Sequence, residues 1–288
     1  MKKYLSLVTF AHTLFALPFA MVGFFLGMLH RAESGFPIKE LILVLFCMVF
    51  ARSAAMAFNR YADRHIDRSN PRTAGREIPS GAISPNAALA FVLISSGLFI
   101  LCAWLINPIC FYLSPVALLV ILGYSYTKRF TPLCHLILGL GLSLAPVGAY
   151  LAVTGVFHLI PVLFGGAVLC WVSGFDIIYA LQDDQFDKEH RLFSIPVALG
   201  RKGALGLSIA LHVACAGFML GAAWYVSTTE PLFGWIFWVA NGLFLALLTY
   251  QHLIVSPTDL SRVNRAFFTA NGFASLVFGI LFILDIYV

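Results

Sequence analysis

Apolar residues run through this chain in long, nearly unbroken blocks. They show neither the strict alternation of a half-exposed strand nor the narrow stripe of a helix resting on a soluble core. A helix needs about 20 residues to cross the hydrocarbon layer of a bilayer. Nine blocks reach or approach that length: 5–29, 41–58, 85–105, 108–124, 134–153, 159–182, 205–226, 232–253 and 267–288. Pro37, Pro85, Pro108, Pro132, Pro161 and Pro231 mark most of the joints. The blocks are too long for the strands of a membrane barrel and lack their period. The predicted fold is all-α, a polytopic membrane protein of about nine transmembrane helices in a single domain over 1–288. The opening "MKKYLSLVTFAHTLFALPFAMVGFFLGML" has the lysines of a signal peptide. Its apolar span is too long for one and no A-x-A site follows, so a retained first helix is expected.

Composition agrees. Hydrophobic residues make up 60% of the chain, charged residues only 11%, and mean hydropathy is +0.91, against about 25% charge in a soluble domain. Six cysteines stand singly, without a C-x-x-C pair, which suggests neither a zinc site nor a disulfide framework. Charge settles the expected orientation. With nine helices, one side receives Lys2, Lys3, Arg60, Arg64, Arg68, Arg72, Arg76, Lys128, Arg129, Lys188, Arg191, Arg201, Lys202, Arg262 and Arg265, the other only Arg31 and Lys39. Basic loops stay in the cytoplasm, so the N-terminus and the long polar loops are expected there. The net charge of +5 then reflects topology and attraction to membrane lipid, and no nucleic-acid partner is expected.

Topology does not require the company that some of these charges keep. The segment "NRYADRHIDRSNPRTAGREIPSG", residues 59–81, places five arginines and three acids at the end of an apolar block. Asn59, Asp63 and Asp67 recur every fourth residue, a spacing that stacks them on one helix face about 6 Å apart. In "DIIYALQDDQFDKEHR" Asp183 and Asp187 repeat that spacing, and Asp176 and Tyr179 carry the row back into the membrane. Asp63 to Asp183 and Asp67 to Asp187 are each 120 residues, and "REIPSG" and "SIPVALG" follow the two rows. Four helices lie between them, so both rows face one compartment. This is a faint internal repeat of two helical halves, the kind of fold that sets its working site at the interface.

Rows of carboxylates repel one another unless cations lie between them. Hard oxygen ligands and an amide suit Mg²⁺, which binds through a few carboxylates plus substrate phosphates. Arg72, Arg76 and Lys128 could donate directly to a diphosphate. The competing description is a pair of solvated, salt-bridged helix ends.

At these residues the sequence resembles the intramembrane aromatic prenyltransferases of the UbiA superfamily, over essentially the whole chain. N-x-x-x-D-x-x-x-D stands as Asn59, Asp63 and Asp67, D-x-x-x-D as Asp183 and Asp187, and "YSYTKRFT" resembles the family's basic loop with Lys128 and Arg129. The resemblance implies nine helices around a central cavity, a polyprenyl diphosphate donor, Mg²⁺ and an aromatic acid acceptor. It implies metal binding by Asn59, Asp63, Asp67, Asp183 and Asp187, and diphosphate binding by Arg72, Arg76, Lys128 and Arg129. "FAHTLFALPFA", "ARSAAMAFNRYADRHID" and "GFDIIYALQDDQFD" are similar to bacterial quinone-pathway members. These comprise 4-hydroxybenzoate polyprenyltransferases and enzymes of the futalosine route to menaquinone, which places the expected protein in the bacterial inner membrane.

Arg52 lies seven residues before Asn59, two turns deeper on the same face. An intramembrane arginine is costly unless partnered; it resembles the acceptor-carboxylate partner of family members, or it forms an ion pair with Asp176. Asp176 and Tyr179 are further acceptor-binding candidates, and Asp183 or Asp184 is a candidate acceptor of the ring proton. Tyr124, Tyr126, Phe175 and Tyr179 could offer π faces to a carbocation or serve only to pack. The first block departs from the family pattern, having only His12 as a strongly polar residue. Gly23-x-x-x-Gly27 and Gly217-x-x-x-Gly221 suggest close helix packing, and His135, His158, His212 and His252 suggest structural roles. Two rivals stand. A CDP-alcohol phosphotransferase would need D-G-x-x-A-R, which is absent, and a cation transporter would place its acids near the midplane rather than at helix ends on one side.

Overall fold

A computed structural model of the protein describes residues 13–31 and 35–288; Lys2, Lys3, His12 and the start of the first predicted helix lie outside them. The long helices are α1 (Thr13–His30), α2 (Ile38–Ala62), α4 (Pro85–Ile106), α5 (Pro108–Thr127), α6 (Cys134–Thr154), α7 (Leu159–Ala180), α9 (Ile195–Thr229), α10 (Trp235–Ile254) and α11 (Asn271–Tyr287). Two short helices, α3 (Arg64–Ser69) and α8 (Asp184–Glu189), follow α2 and α7. A π-helical turn, Arg265–Ala270, leads into α11. Eight of these helical stretches are long and apolar enough to cross a membrane, and α1 adds a shorter apolar helix. The protein is a multi-pass, all-helical membrane protein.

Two differences from the predicted spans bear on the site. Helix α2 continues to Ala62, past the apolar block ending at 58, because Asn59 and Arg60 are polar yet remain helical. Helix α9 begins at Ile195, ten residues early, with Ser194 as cap, Pro196 in the first turn and a break at Gly200. Gly200 takes φ +67°, a conformation glycine adopts without steric cost. Arg201 and Lys202 hide this first turn from any hydropathy window.

Helix α7 sits at the centre, between α6 and α9, and is buried on nearly every side. A helix apolar all round belongs inside a bundle. Trp171 anchors it among Phe15, Phe19, Phe175 and Phe244, with ring centroids 5.2–6.4 Å away. Its indole N–H donates to Asn271 Oδ1 at 2.7 Å. Asn271 Nδ2 in turn donates to the carbonyls of Ala266 and Phe267, occupying acceptors that a π-turn leaves to side chains. The turn thereby points Phe267 at Tyr179, ring to ring at 4.1 Å.

Connectivity gives the bundle one end that carries Asp63 and Asp183, the acidic end. Tyr126, Phe130, Phe193 and Tyr250 are exposed near that end, and Trp104, Tyr112, Trp224, Trp235 and Tyr287 near the opposite one. Two aromatic levels on an apolar exterior are the girdles of a bilayer-spanning protein. At the far end His30 joins Tyr150 and Glu230, both at 2.8 Å, tying α1 to α6 and α9.

The two glycine pairs part company. A Cβ on Gly23 would fall 2.0 Å from the Pro146 carbonyl oxygen, and one on Gly27 would fall 2.9 Å from Val153 Cβ, so this pair lets α1 lie against α6. Gly217 and Gly221 meet nothing within 4 Å. They lie beside exposed Phe218 and Leu220, so the packing expected of them does not occur among the described residues. Gly23→Ala is therefore expected to destabilise the bundle by roughly 1–3 kcal/mol, as overpacking does, while Gly217→Ala leaves it unchanged. Thermal aggregation of detergent-purified protein, followed by size-exclusion chromatography, measures both.

Candidate active site

The acidic rows begin as ends of transmembrane helices. Helix α2 turns into α3 at Asp63, whose φ of −90° and ψ of 4° bend the axis. The backbone bonds nonetheless continue through the bend, Asp63 N to Asn59 O at 2.9 Å and Asp67 N to Asp63 O at 2.8 Å. The four-residue spacing survives, and Asn59, Asp63 and Asp67 keep one face. Helix α7 tightens into a 3-10 turn, Leu181–Asp183, before α8 carries Asp187. Both rows line one chamber of about 710 Å³.

The loop 70–84 and the α5–α6 connection bring the positive charge. Asp63 and Asp67 are almost fully buried, and a buried carboxylate must find a cation or hydrogen-bond donors. Asp63 binds Lys128 Nζ at 2.6 Å and Arg129 Nη2 at 3.0 Å, and Asn59 Nδ2 donates to it at 3.2 Å. Arg76 Nη1 meets Asp67 Oδ1 at 2.7 Å. Arg72 crosses between the rows: its guanidinium pairs with both oxygens of Asp183, Nε to Oδ1 at 2.9 Å, and its Nη1 reaches the Tyr179 hydroxyl at 3.2 Å. Burial alone would lower the Arg72 pKa; bonding to Asp183 more than offsets this, and the net shift is upward. Asn70 Nδ2 also donates to Asp183, at 3.2 Å. The rows, 120 residues apart, are thus joined directly.

Arg52, Tyr124, Phe175, Asp176, Tyr179 and Asp187 line the same chamber. Asp176 Oδ2 lies 2.7 Å from His135 Nδ1, so its partner is a histidine on α6. Below this level the walls are apolar, with Val44, Met48, Ile106, Leu113, Val147 and Leu151.

Three expectations need correction. Asp184 does not line the chamber: one residue beyond Asp183 on a helical turn, it faces away and is clasped by Arg201 at 2.6 and 3.1 Å. Its candidacy as proton acceptor fails on position. Arg129 is also absent from the lining. It braces Asp63 and donates to the carbonyls of Ser125 and Ala62 at 2.7 and 2.8 Å. Tyr126 is exposed and lies under Arg129, 5.0 Å from ring centroid to guanidinium, leaving Tyr124, Phe175 and Tyr179 as chamber rings. Sequence reasoning missed Asn70, to which it gave no role, and His135, which it took as structural.

Among the described residues no three histidine, cysteine or acidic side chains converge as a ready-made metal cage. The donor set still suits Mg²⁺, since hard carboxylate oxygens line the chamber in pairs. Asp67 Oδ2 is buried there without a hydrogen-bond partner among the described residues. A metal of that kind takes one or two protein carboxylates and completes its shell with water and substrate phosphate.

An all-helical membrane bundle with opposed acidic rows, held by arginine and lysine above an apolar chamber, defines an intramembrane enzyme of the polar–apolar boundary. The profile of the UbiA prenyltransferase family matches residues 16–276, and the chain belongs to that family. It is 30% identical to the 4-hydroxybenzoate octaprenyltransferase of Aeromonas salmonicida over 86% of this chain and 84% of that one. The enzyme of the same name from Tolumonas auensis is also 30% identical, over 86% and 85%. The apo structure of a UbiA homolog from Aeropyrum pernix K1 superposes with a TM-score of 0.83 at 36% identity, covering 95% of this chain and 98% of that one. A UbiA homolog from Archaeoglobus fulgidus bound to GPP and Mg²⁺ shares the fold with a TM-score of 0.77 at 21% identity, over 99% and 100%.

Asp184→Asn is expected to leave prenyl transfer within a few-fold of wild type and to cost at most about 1 kcal/mol of stability, the ceiling for such a surface pair. Asp183→Asn, by contrast, should release Arg72 and lose most activity. Parallel turnover assays on membranes carrying equal amounts of each protein test the contrast.

Proposed function

We propose that this protein transfers a polyprenyl group from a prenyl diphosphate to an aromatic hydroxy acid, 4-hydroxybenzoate or a hydroxynaphthoate, in quinone biosynthesis. The observation that carries the reading is the direct bonding of Arg72 and Asn70, from the first acidic segment, to Asp183 of the second. A diphosphate at that junction would meet both rows at once. In this proposal the chain is one domain of two related helical halves, working at the cytoplasmic leaflet of a bacterial inner membrane with its N-terminus inside. The basic residues of the loops beside Asp63 and Asp183 favour that orientation.

Asn59, Asp63, Asp67, Asp183 and Asp187 would hold Mg²⁺, which when bound adds positive charge against the departing diphosphate. The chain's own cations act in the same place. Arg72, Arg76 and Lys128 now neutralise Asp183, Asp67 and Asp63, and a diphosphate with its metal would redistribute those pairs. Preorganised donors cost little reorganisation as charge develops, and such groups are often worth several kcal/mol of barrier. The allylic C–O bond breaks and its electron pair leaves with diphosphate, while a ring carbon of the acceptor forms the new C–C bond. That carbon then gives up its proton to Asp183 on the chamber wall, restoring the aromatic ring. The apolar walls from Val44 to Leu151 receive the prenyl chain and exclude water, which would otherwise quench the cation. Tyr124, Phe175 and Tyr179 offer π faces at the reacting level. Arg52, deeper in the membrane, holds the acceptor carboxylate.

The discriminating experiment incubates membranes containing the protein with labelled prenyl diphosphates, Mg²⁺ and a panel of hydroxybenzoate and hydroxynaphthoate acceptors. A prenylated product in one class is expected; none in either removes the quinone assignment. Asp67→Ala and Asp187→Ala should abolish turnover while the protein still inserts, and near-normal activity in both removes them from the metal shell. Arg52→Ala should raise the acceptor KM with a smaller effect on kcat, and an unchanged KM would make Arg52 structural.

A further inference from the structure

Each acidic row has a charged residue deeper on its own helix. Arg52 stands seven residues before Asn59 and eleven before Asp63; Asp176 stands seven before Asp183 and eleven before Asp187. Seven residues are close to two turns, about 10 Å along a helix. With Asp63 set against Asp183, α2 presents a cation eleven residues, about three turns, below its row and α7 an anion seven residues, about two turns, below its own. Arg52 therefore lies about one turn deeper than Asp176, and both side chains line the chamber. An aromatic hydroxy acid is bipolar in the same sense, carboxylate at one end and hydroxyl at the other.

Asp176 is aimed by a neighbour. His135, in the first turn of α6, is buried, with only 5% of its side chain exposed, and its Nδ1 lies 2.7 Å from Asp176 Oδ2. Its other nitrogen, Nε2, lies 3.4 Å from the Ile195 amide at the start of α9 and accepts from it. Asp176 can only accept, so Nδ1 is the nitrogen that carries a proton toward it, and in the neutral imidazole Nε2 is left to accept from the amide. One carboxylate oxygen is thereby occupied. The Asp176 side chain keeps 21% of its surface exposed, and that surface opens into the chamber.

We propose that Asp176, oriented by His135, accepts a hydrogen bond from the acceptor's ring hydroxyl while Arg52 holds its carboxylate, so that the acceptor is fixed by both ends. Asp176 is the contact; His135 is a positioning residue that acts through it. The pair selects acceptors bearing a hydroxyl opposite the acid, and it turns the carbon beside that hydroxyl toward the diphosphate level above. This inference rests on the prenyl-transfer reading above and adds the subsite for the second end of the acceptor.

The test compares hydroxy acids with their deoxy partners: 4-hydroxybenzoate against benzoate, and a hydroxynaphthoate against 2-naphthoate. Each competes with the labelled hydroxy acid for full-length purified protein loaded with Mg²⁺ and a non-hydrolysable prenyl diphosphate. Wild type should prefer the hydroxy acid by about tenfold or more, the usual strength of a hydrogen bond to a charged group. Asp176→Ala and His135→Phe should bring that ratio near one, and His135→Asn, whose amide can replace Nδ1–H, should restore most of it. Arg52→Ala should weaken hydroxy and deoxy acids alike, leaving the ratio intact. A ratio that stays high in both Asp176→Ala and His135→Phe overturns the proposal, as does a ratio lost in His135→Asn as fully as in His135→Phe. If wild type prenylates no member of the panel, the function reading itself fails; an active wild type with an unmoved ratio sinks only the acceptor subsite.

Discussion

Burying a carboxylate without a cation is the constraint on which this molecule depends. Asp63 and Asp67 lie almost wholly out of contact with solvent, yet they belong to one row on one helix face. Uncompensated, each would carry a desolvation penalty of several kcal/mol. The chain answers with side chains from elsewhere: Lys128 and Arg129 from the α5–α6 connection, Arg76 from the loop after α3. Arg72 makes the same move between the two rows, reaching Asp183. These pairs do more than neutralise. They fix the loop 70–84 against α7, so electrostatics closes a chamber that helix packing alone leaves open between α2 and α7.

The same pairs suit a site that must accept a diphosphate. A cation bound to a carboxylate can be handed to a phosphate when a metal takes the carboxylate. The positive charge is therefore already in place before substrate arrives, and little reorganisation is needed. Asp67 Oδ2, buried and without a hydrogen bond among the described residues, marks where that exchange has the most to gain.

Much of this was legible in the sequence. Hydropathy gave the helices, because lipid-facing and core-facing positions alike are apolar in a membrane protein. The four-residue step of Asn59, Asp63 and Asp67 gave a site, because that step survives the bend at Asp63. The errors share one physical origin. Adjacent residues on a helix point about 100° apart, so Asp184 turns away where Asp183 turns in, and Arg129 braces Asp63 from behind while Lys128 faces the chamber. Neighbours in a motif look equivalent on paper and are not. Asn70 and His135 were illegible for another reason: their partners, Asp183 and Asp176, are 113 and 41 residues away. No local pattern announces contacts of that range.

Depth orders the chemistry. Charged rows at the helix ends can exchange ions with water, whereas Arg52 and Asp176, about two to three turns further in, sit where an isolated charge is costly. Such residues persist in membranes when they face a cavity or one another. The opposite signs on α2 and α7 suit a ligand that is itself charged at one end and polar at the other. Beneath them nothing polar is needed, and the walls from Val44 to Leu151 are apolar. A substrate pair with diphosphate above, ring between and prenyl chain below would match this gradient level by level.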